Sequence, residues 1–257
     1  MTQGMTMTRS IIRVSGQEPE KFLQGLVTND LRKLAENDIL YAAILTPQGK
    51  YLADFFLVAD RDGGVLVDVA APLASDLLRR LTLYKLRSKI SLEQIDMPVS
   101  RGTGPEPEGA LRDPRHPALG WRLYGKALPD DGTDWDALRV LHCIPESGIE
   151  LVPGETFILE TGFERLNGLD FRKGCYVGQE VTARMHHKTQ LRKGLTTVAI
   201  EGEAAIGADI LADDKVAGQI FTQSNGRAIA YLRFDRAKDA MTAGNARLRW
   251  HPAQEQA

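Results

Sequence analysis

The sequence predicts an α+β fold followed by a small antiparallel β-barrel or sandwich. The chain has 257 residues, of which 43% are apolar and 26% charged, a balance and length typical of two or three globular subdomains. Up to about Thr189, helical and strand-like patterns are interspersed. Beyond that position only short strand-like runs remain, separated by glycine turns, which is typical of a closed or sandwiched antiparallel sheet.

The first stretch of the chain predicts a strand, a helix and a hairpin. Residues 11–14 form a β-branched run, and Pro19 favours the first turn of a helix over residues 18–26. Apolar runs at residues 39–46 and 50–58 are separated by a Pro-Gln-Gly turn, so we expect two paired strands.

The next stretch predicts a strand over residues 64–70, a helix over 73–83 and a strand over 89–94. Residues 98–117 contain five prolines and few apolar side chains, so we expect an irregular surface connection or a seam between subdomains there.

The last part of the chain predicts three helices and then the barrel. The helices are expected over residues 135–143, over 158–166 and from about Gly178 onward. The Asn225-Gly226 pair is the strongest hairpin signal. The predicted barrel strands cover residues 191–200, 207–211, 215–223, 226–234 and 246–250.

The overall charge and the leader region limit the functional class. The formal net charge is −2, so the chain lacks the basic excess of a protein that binds nucleic acid directly. Its two cysteines lie far apart in sequence, which argues against a disulfide framework. Because no secretory or transit signal and no run of about 20 apolar residues is present, we expect a cytoplasmic protein that does not bind membranes. We also expect the protein to be a monomer.

The segment around Cys175 is the most informative for chemistry. Residues 173–180 read Lys-Gly-Cys-Tyr-Val-Gly-Gln-Glu, and a helix is predicted to begin near Gly178. The partial positive charge of a helix N-terminus, together with Arg172 and Lys173, favours the thiolate form of a nearby cysteine. Cys175 is therefore a candidate reactive thiolate or metal ligand.

This segment resembles the signature of the YgfZ family. The resemblance spans residues 166–180 and extends through residues 183–187, which include the paired histidines. Further matching stretches lie at residues 22–31, 81–89, 113–115 and 119–122. It implies the family fold, which is similar to the aminomethyltransferase of the glycine cleavage system. Two interleaved α+β subdomains and a C-terminal antiparallel β-barrel would then surround a central channel that holds folate. The implied subdomains are residues 1–48 with 118–190, the inserted 49–117, and the barrel 191–257.

The resemblance also implies a folate site. Glu160 matches the glutamate that binds the pterin ring in the aminomethyltransferases. A glutamate suits this role because one carboxylate can accept two parallel hydrogen bonds from the amidine edge of the pterin. Asp54 matches the second acid of an acidic pair, but Ala53 replaces the first, which argues against aminomethyl transfer. Lys173 and Gln179 are expected to line or border this site. For Glu160 and Asp54, a solvated helix position and a half-exposed strand position stay open as alternatives.

Glu180, Arg184 and His187 share one face of the helix after Cys175. Their simplest interpretation is a surface row of ion pairs, and a supporting cluster for the thiol is the alternative. A stable metal site needs about four ligands, so Cys143 and His142 would have to converge on Cys175, which the sequence does not show.

The leading hypothesis, which the family resemblance implies, is a tetrahydrofolate-binding accessory protein that helps assemble or repair 4Fe–4S clusters in client enzymes. That these clients include tRNA-modifying radical enzymes is implied by the resemblance alone. The expected partners of such a protein are iron–sulfur carrier or scaffold proteins and the client enzymes, and Cys175 would be a transient cluster ligand or a redox partner of folate. One alternative is a folate-dependent one-carbon transferase. Another is an interaction module with a vestigial folate cleft, and cysteine protease chemistry is a weaker rival.

Overall fold

The computed structural model describes residues 8–187 and 191–251, which form two compact units. The first unit contains the chain up to Thr133 together with Pro153–Glu155 and Phe163–Ala183. The second contains Asp134–Val152, Thr156–Gly162 and the residues from Arg184 onward.

A five-stranded antiparallel sheet is the centre of the first unit. Its strands match the apolar runs of the sequence, and three of them are buried along nearly their whole length. The order across the sheet is β2-β3-β4-β1-β5, with β1 Arg9–Gly16, β2 Ile39–Leu45, β3 Tyr51–Ala59, β4 Val65–Ala70 and β5 Ile90–Ile95.

Three helices accompany this sheet: α1 Pro19–Gln24, α2 Leu34–Asn37 and α3 Ala71–Lys85. α1 begins at the proline that the sequence indicated. α3 buries Ala74, Leu77 and Leu81, which recur at helical spacing and join the apolar core of the sheet.

The irregular connection expected over residues 98–117 is partly wrong. Strand β6 Val99–Gly102 and the short β7 Leu111–Arg112 pair on either side of β8 Trp121–Tyr124 to form a three-stranded sheet. Gly120 permits this pairing, because it has φ +62° and a Cβ there would lie 2.1 Å from a backbone carbonyl oxygen. Proline content alone therefore underestimated the regular structure.

The second unit begins with α4 Trp135–Leu141, close to the predicted helix. The helix predicted over residues 158–166 is wrong in length, since only a 3₁₀ turn forms at Ile158–Thr161. It ends at Gly162, whose φ of +77° turns the chain out of the helical direction. The division between the units falls within the last helix, α5 Gln179–His187.

A closed six-stranded antiparallel barrel completes the second unit, in the order β10-β11-β12-β9-β14-β13. The prediction of an α+β fold with a C-terminal barrel is confirmed, although one strand, β13, was not predicted. The strands are β9 Lys193–Glu201, β10 Asp209–Ala212, β11 Lys215–Ser224, β12 Arg227–Arg233, β13 Ala240–Ala243 and β14 Ala246–Arg249.

Two further predictions bear on this architecture. The subdomain boundaries implied by the resemblance stay a prediction; the five-stranded sheet takes strands from both sides of position 48. Among the helices of the described residues, none has the length and apolar character that crossing a bilayer requires.

Candidate functional site

The thiol of Cys175 lies on the surface of the first unit, in the turn that precedes α5. Arg172 and Gly174 beside it are exposed too, whereas Lys173 and Tyr176 are buried. Buried residues in this turn therefore attach it to the protein, while the residues between them, including Cys175, are open to solvent.

Lys173 is buried and fixes the turn to the end of α1. Its ammonium group donates hydrogen bonds to the carbonyl oxygens of Gln24, at 2.7 Å, and of Val27. It also lies 4.8 Å from the ring centroid of Tyr176. Burial lowers the pKa of Lys173 to about 8, because desolvation disfavours the charged form more than the nearby carboxylates favour it.

A second set of bonds holds the preceding loop. The Thr28 hydroxyl donates to the carbonyl of Gly168 at 2.6 Å, and the Asp170 amide donates to the carbonyl of Thr28 at 3.0 Å. The Asp170 carboxylate pairs with Lys33 at 2.6 Å and accepts the amide of Arg172 at 2.6 Å. The backbone leading to Cys175 is thus tied to the loop after α1 along most of its length, which pre-positions the sulfur.

The start of α5 is set by Gly178. It has φ +85°, and a Cβ there would lie 2.6 Å from the carbonyl oxygen of Thr46, so only glycine fits without a shift of the backbone. Gln179, which we predicted to border the folate site, is half-buried in the first turn of the helix. Val177 packs against the core of the sheet.

The three side chains predicted as a supporting cluster, Glu180, Arg184 and His187, are all exposed. In residues 8–187 and 191–251 no ion pair joins them, so the surface row of ion pairs is not formed. Across the same residues, no group of three or more His, Cys, Asp or Glu side chains is arranged to hold a metal ion. Within these residues, Cys175 is therefore not part of a ready-made set of metal ligands.

Asp54 is buried in β3 of the first unit, and both of its oxygens are used. The Tyr51 hydroxyl donates to Oδ1 at 2.7 Å and the Tyr41 hydroxyl donates to Oδ2 at 2.9 Å. Burial and the charge of Asp54 raise the pKa of Tyr41 well above its usual value, so the phenol stays protonated.

Sequence reasoning did not find these two tyrosines. In the antiparallel register Asp54 lies opposite Ala43, and Tyr41 is two positions from Ala43, so it points to the same face. Strand alternation could therefore have predicted Tyr41. Its ring also stacks on Phe163 at 5.1 Å.

A network of buried arginines and aspartates, also missed, adjoins the same sheet. Asp68 accepts hydrogen bonds from Arg9 at 2.6 Å, Arg122 at 2.8 Å and Tyr124 at 2.9 Å. These two guanidinium groups hold the pKa of Asp68 below its usual value despite the opposing effect of burial. Arg122 also lies 4.0 Å from the ring centroid of Phe56. All of these polar groups are paired, so the network stabilises the sheet rather than offering a binding site.

Glu160 lies in the second unit, in the 3₁₀ turn Ile158–Thr161, and is largely buried. The Tyr231 hydroxyl donates to its Oε2 at 2.6 Å, and Lys193 lies 3.8 Å from its Oε1. Desolvation and the neighbouring carboxylate raise the pKa of Tyr231, which keeps it a hydrogen-bond donor. Tyr231 was not predicted, because it is 71 positions away in the chain.

Comparison with known families matches residues 192–255 to the CAF17 C-terminal beta-barrel domain. The chain is 32% identical over 227 residues to "Iron-sulfur cluster assembly factor IBA57, mitochondrial" of Homo sapiens, covering 74% of this chain and 64% of that protein. It is 31% identical over 222 residues to the IBA57 homolog of Mycosarcoma maydis, covering 74% and 55%. The chain thus spans between about half and two thirds of the length of these relatives.

Among solved structures, glycine cleavage system aminomethyltransferase T from Bartonella henselae matches with a TM-score of 0.74, covering 95% of this chain and 82% of that one. At 13% identity this likeness shows the fold alone, and the chain has the aminomethyltransferase-like fold.

These comparisons bear on two predictions, the family resemblance and the cellular location. The named relatives are iron–sulfur cluster assembly factors, so the resemblance is confirmed at the level of an aminomethyltransferase-like protein similar to such factors. The prediction of cytoplasmic residence is wrong on this evidence, because the named relatives are mitochondrial proteins.

Proposed function

We propose that this protein is an accessory factor in the assembly of 4Fe–4S clusters and that Cys175 is a transient ligand of a cluster in transit. The observation that carries the proposal is the exposure of this thiol at the end of a backbone segment held by buried hydrogen bonds. The similarity to iron–sulfur cluster assembly factors supports the same reading.

The number of ligands favours transit over storage. Iron–sulfur clusters are usually held by about four protein ligands. In the described part of the chain, Cys175 is not joined by enough metal-binding side chains to form such a set. One exposed thiol is suited to share a cluster with a carrier or client protein and to release it, since the other ligands come from that partner.

We also propose that reduced folate binds at Glu160. The donor-rich edge of a pterin needs an anionic acceptor, and the Oε1 atom of Glu160 accepts no hydrogen bond within residues 8–187 and 191–251. The carboxylate is largely buried, so a bond to a ligand there is weakly screened. The Tyr231 hydroxyl, bonded to Oε2, orients the carboxylate, and the pterin ring of folate donates to Oε1. The contributions of Asp54, Lys173 and Gln179 to this site remain predictions.

The proposal is tested in cells that lack the native copy of the gene. Wild-type protein and Cys143→Ser should restore the activity of 4Fe–4S enzymes, including tRNA-modifying radical enzymes, whereas Cys175→Ser should lose about ten-fold or more of that activity. Cys143 is the matched control because it is the other cysteine and is less exposed. Full restoration by Cys175→Ser at wild-type protein level contradicts the proposed role of the thiol.

The rival activity, a folate-dependent one-carbon transferase, is separated by assay of the purified protein. We expect no formation of methylene-tetrahydrofolate from an aminomethyl donor, since Ala53 stands where the family's transferase has an acid. Steady turnover in that assay would replace the assembly role with the transferase role.

A further inference from the structure

The C-terminal end of α3 displays an unusual group of apolar side chains. Leu83 is 64% exposed, Tyr84 38% and Leu86 87%. The large apolar side chains exposed in residues 8–187 and 191–251 number six, and these three lie within four consecutive positions. Scattered apolar residues need no explanation, but a concentrated group of this kind is typical of an interaction site.

Cationic residues are interleaved with this group in the sequence. Lys85, Arg87 and Lys89 form no ion pair in the part of the chain that the structure describes. The one acid on the preceding turns, Asp76, is already bonded to Arg79 and to Arg80, the latter at 2.5 Å. We call Leu83, Tyr84, Lys85, Leu86, Arg87 and Lys89 the α3-end patch; it is cationic although the whole chain carries a net charge of −2.

The backbone holds Leu86 in an unfavourable conformation. Its φ of +46° and ψ of −111° are rare for a residue with a branched side chain. The turn is fixed on both sides, since the Ser88 amide donates to the Lys85 carbonyl at 2.8 Å and the Gln17 amide donates to the Lys89 carbonyl at 2.9 Å. A strained, exposed leucine on a fixed turn gains nothing for folding, and such strain is concentrated at functional positions.

We propose that the α3-end patch is the docking site for an acidic surface on an iron–sulfur carrier protein. Charge complementarity identifies the occupant: three unpaired cations attract carboxylates, while Tyr84 and Arg87 are residue types enriched at protein interface centres. The inference rests on the proposed function and adds where the partner binds.

A membrane surface is the less favoured occupant. Helices that lie on membranes present a whole apolar face to the lipid. The apolar face of α3, made of Ala74, Leu77 and Leu81, is buried in the protein's own core. Only the last turn and the following residues are available, which suits a compact protein contact.

The test measures binding of the full-length protein to purified iron–sulfur carrier proteins of the same organism, one at a time. Wild type should bind at least one, and its affinity should fall steeply between about 50 and 300 mM salt. Lys85→Glu combined with Arg87→Glu should weaken that affinity about ten-fold or more and flatten the salt dependence. Ile206 and Arg227 are exposed in the second unit, and the paired control Ile206→Ser with Arg227→Glu should bind as wild type does.

Leu86→Gly separates docking from folding. Glycine accepts a positive φ, so the melting temperature should stay the same or rise, while affinity for the carrier should fall several-fold. A merely structural role of Leu86 predicts no loss of affinity.

Four outcomes overturn the docking inference. The α3-end variants could bind the carrier with wild-type affinity, or wild type could fail to bind any carrier. The barrel control could lose as much carrier affinity as the α3-end variants do. Wild type could instead bind vesicles of phosphatidylglycerol and phosphatidylcholine, with that binding abolished in the α3-end variants. Complementation keeps the two proposals distinguishable. If wild type restores 4Fe–4S enzymes and the α3-end variants do so equally, only the docking site fails; if wild type does not restore them, the proposed function itself fails.

Discussion

Two carboxylates, Asp54 in the first unit and Glu160 in the second, differ in how many of their oxygens the protein uses. Asp54 accepts a phenolic hydrogen on each oxygen, from Tyr51 and Tyr41. Within residues 8–187 and 191–251, Glu160 accepts one, from Tyr231, and its other oxygen lies 3.8 Å from Lys193. A buried acid whose hydrogen bonds are complete supports the fold, whereas one with an acceptor left over is suited to bind a ligand.

The largest effect on folding is expected from Asp54→Ala. It leaves two buried phenolic hydroxyls without an acceptor, which should lower the free energy of unfolding by about 3 kcal/mol. Asp54→Asn keeps an acceptor and should cost about 1 kcal/mol. Urea unfolding followed by circular dichroism measures both. If Asp54→Ala is as stable as wild type, the hydrogen bonds of Asp54 do not stabilise the fold.

The largest effect on ligand binding is expected from Glu160→Gln. Loss of the charge should weaken tetrahydrofolate binding about 10- to 100-fold, because a neutral amide replaces the charged Oε1 acceptor that would face the pterin edge. The free energy of unfolding should change by less than about 1 kcal/mol, since the amide still accepts from Tyr231.

Calorimetric titration under anaerobic conditions measures this affinity, with Glu203→Gln on the exposed barrel surface as the matched control. Asp54→Asn is titrated in parallel. Equal losses in Glu160→Gln and Asp54→Asn would show that both acids serve the ligand, and no binding by wild type would remove the folate proposal altogether.

Lys173 extends the comparison to a buried cation whose hydrogen bonds go to neutral carbonyls. Its pKa is about 8 in the folded protein against 10.5 for an ordinary lysine, so the folded state binds fewer protons between these values. The free energy of unfolding should therefore rise with pH from about 8 to 10.5, by about 3 kcal/mol.

The difference in unfolding free energy between wild type and Lys173→Met isolates this contribution, because methionine does not titrate and the other groups are shared. A difference that stays constant over that pH range would mean that Lys173 titrates normally.

The smallest effect is expected from Tyr231→Phe. It removes one hydrogen bond to a carboxylate that has a second oxygen available, so the cost in stability should be about 1 kcal/mol or less. Tetrahydrofolate affinity should fall only a few-fold, since the charge of Glu160 remains. Tyr51→Phe provides the parallel change at Asp54 and should be the more destabilising of the two in the same urea assay.

The elements that the sequence predicted well are those with strong local signals. Asn225 and Gly226 adopt φ values of 51° and 71°, as a two-residue hairpin requires, and β11 and β12 pair on either side. β13 was missed because four residues that include two alanines give little strand signal. Its pairing with β10 is decided by closure of the barrel, which is a tertiary property.

The candidate site was predictable only in part, for the same reason. The exposed turn of Cys175 follows from its glycines and polar neighbours. The burial of Lys173 does not, because its partners are carbonyl groups 149 and 146 positions away and a lone lysine ordinarily indicates a solvated surface. The tyrosine bonded to Glu160 is likewise distant in sequence, so local patterns carry no trace of it.

The central claim is that Cys175 is a transient ligand of an iron–sulfur cluster. Its most direct test measures the iron content of the complex between this protein and a cluster-loaded carrier. The two are mixed anaerobically and isolated by size exclusion, and iron per complex is counted beside the cluster absorption spectrum. The account predicts a cluster-bearing complex with wild type and with Cys143→Ser, and its loss with Cys175→Ser. Equal iron and an unchanged spectrum in the Cys175→Ser complex would contradict it.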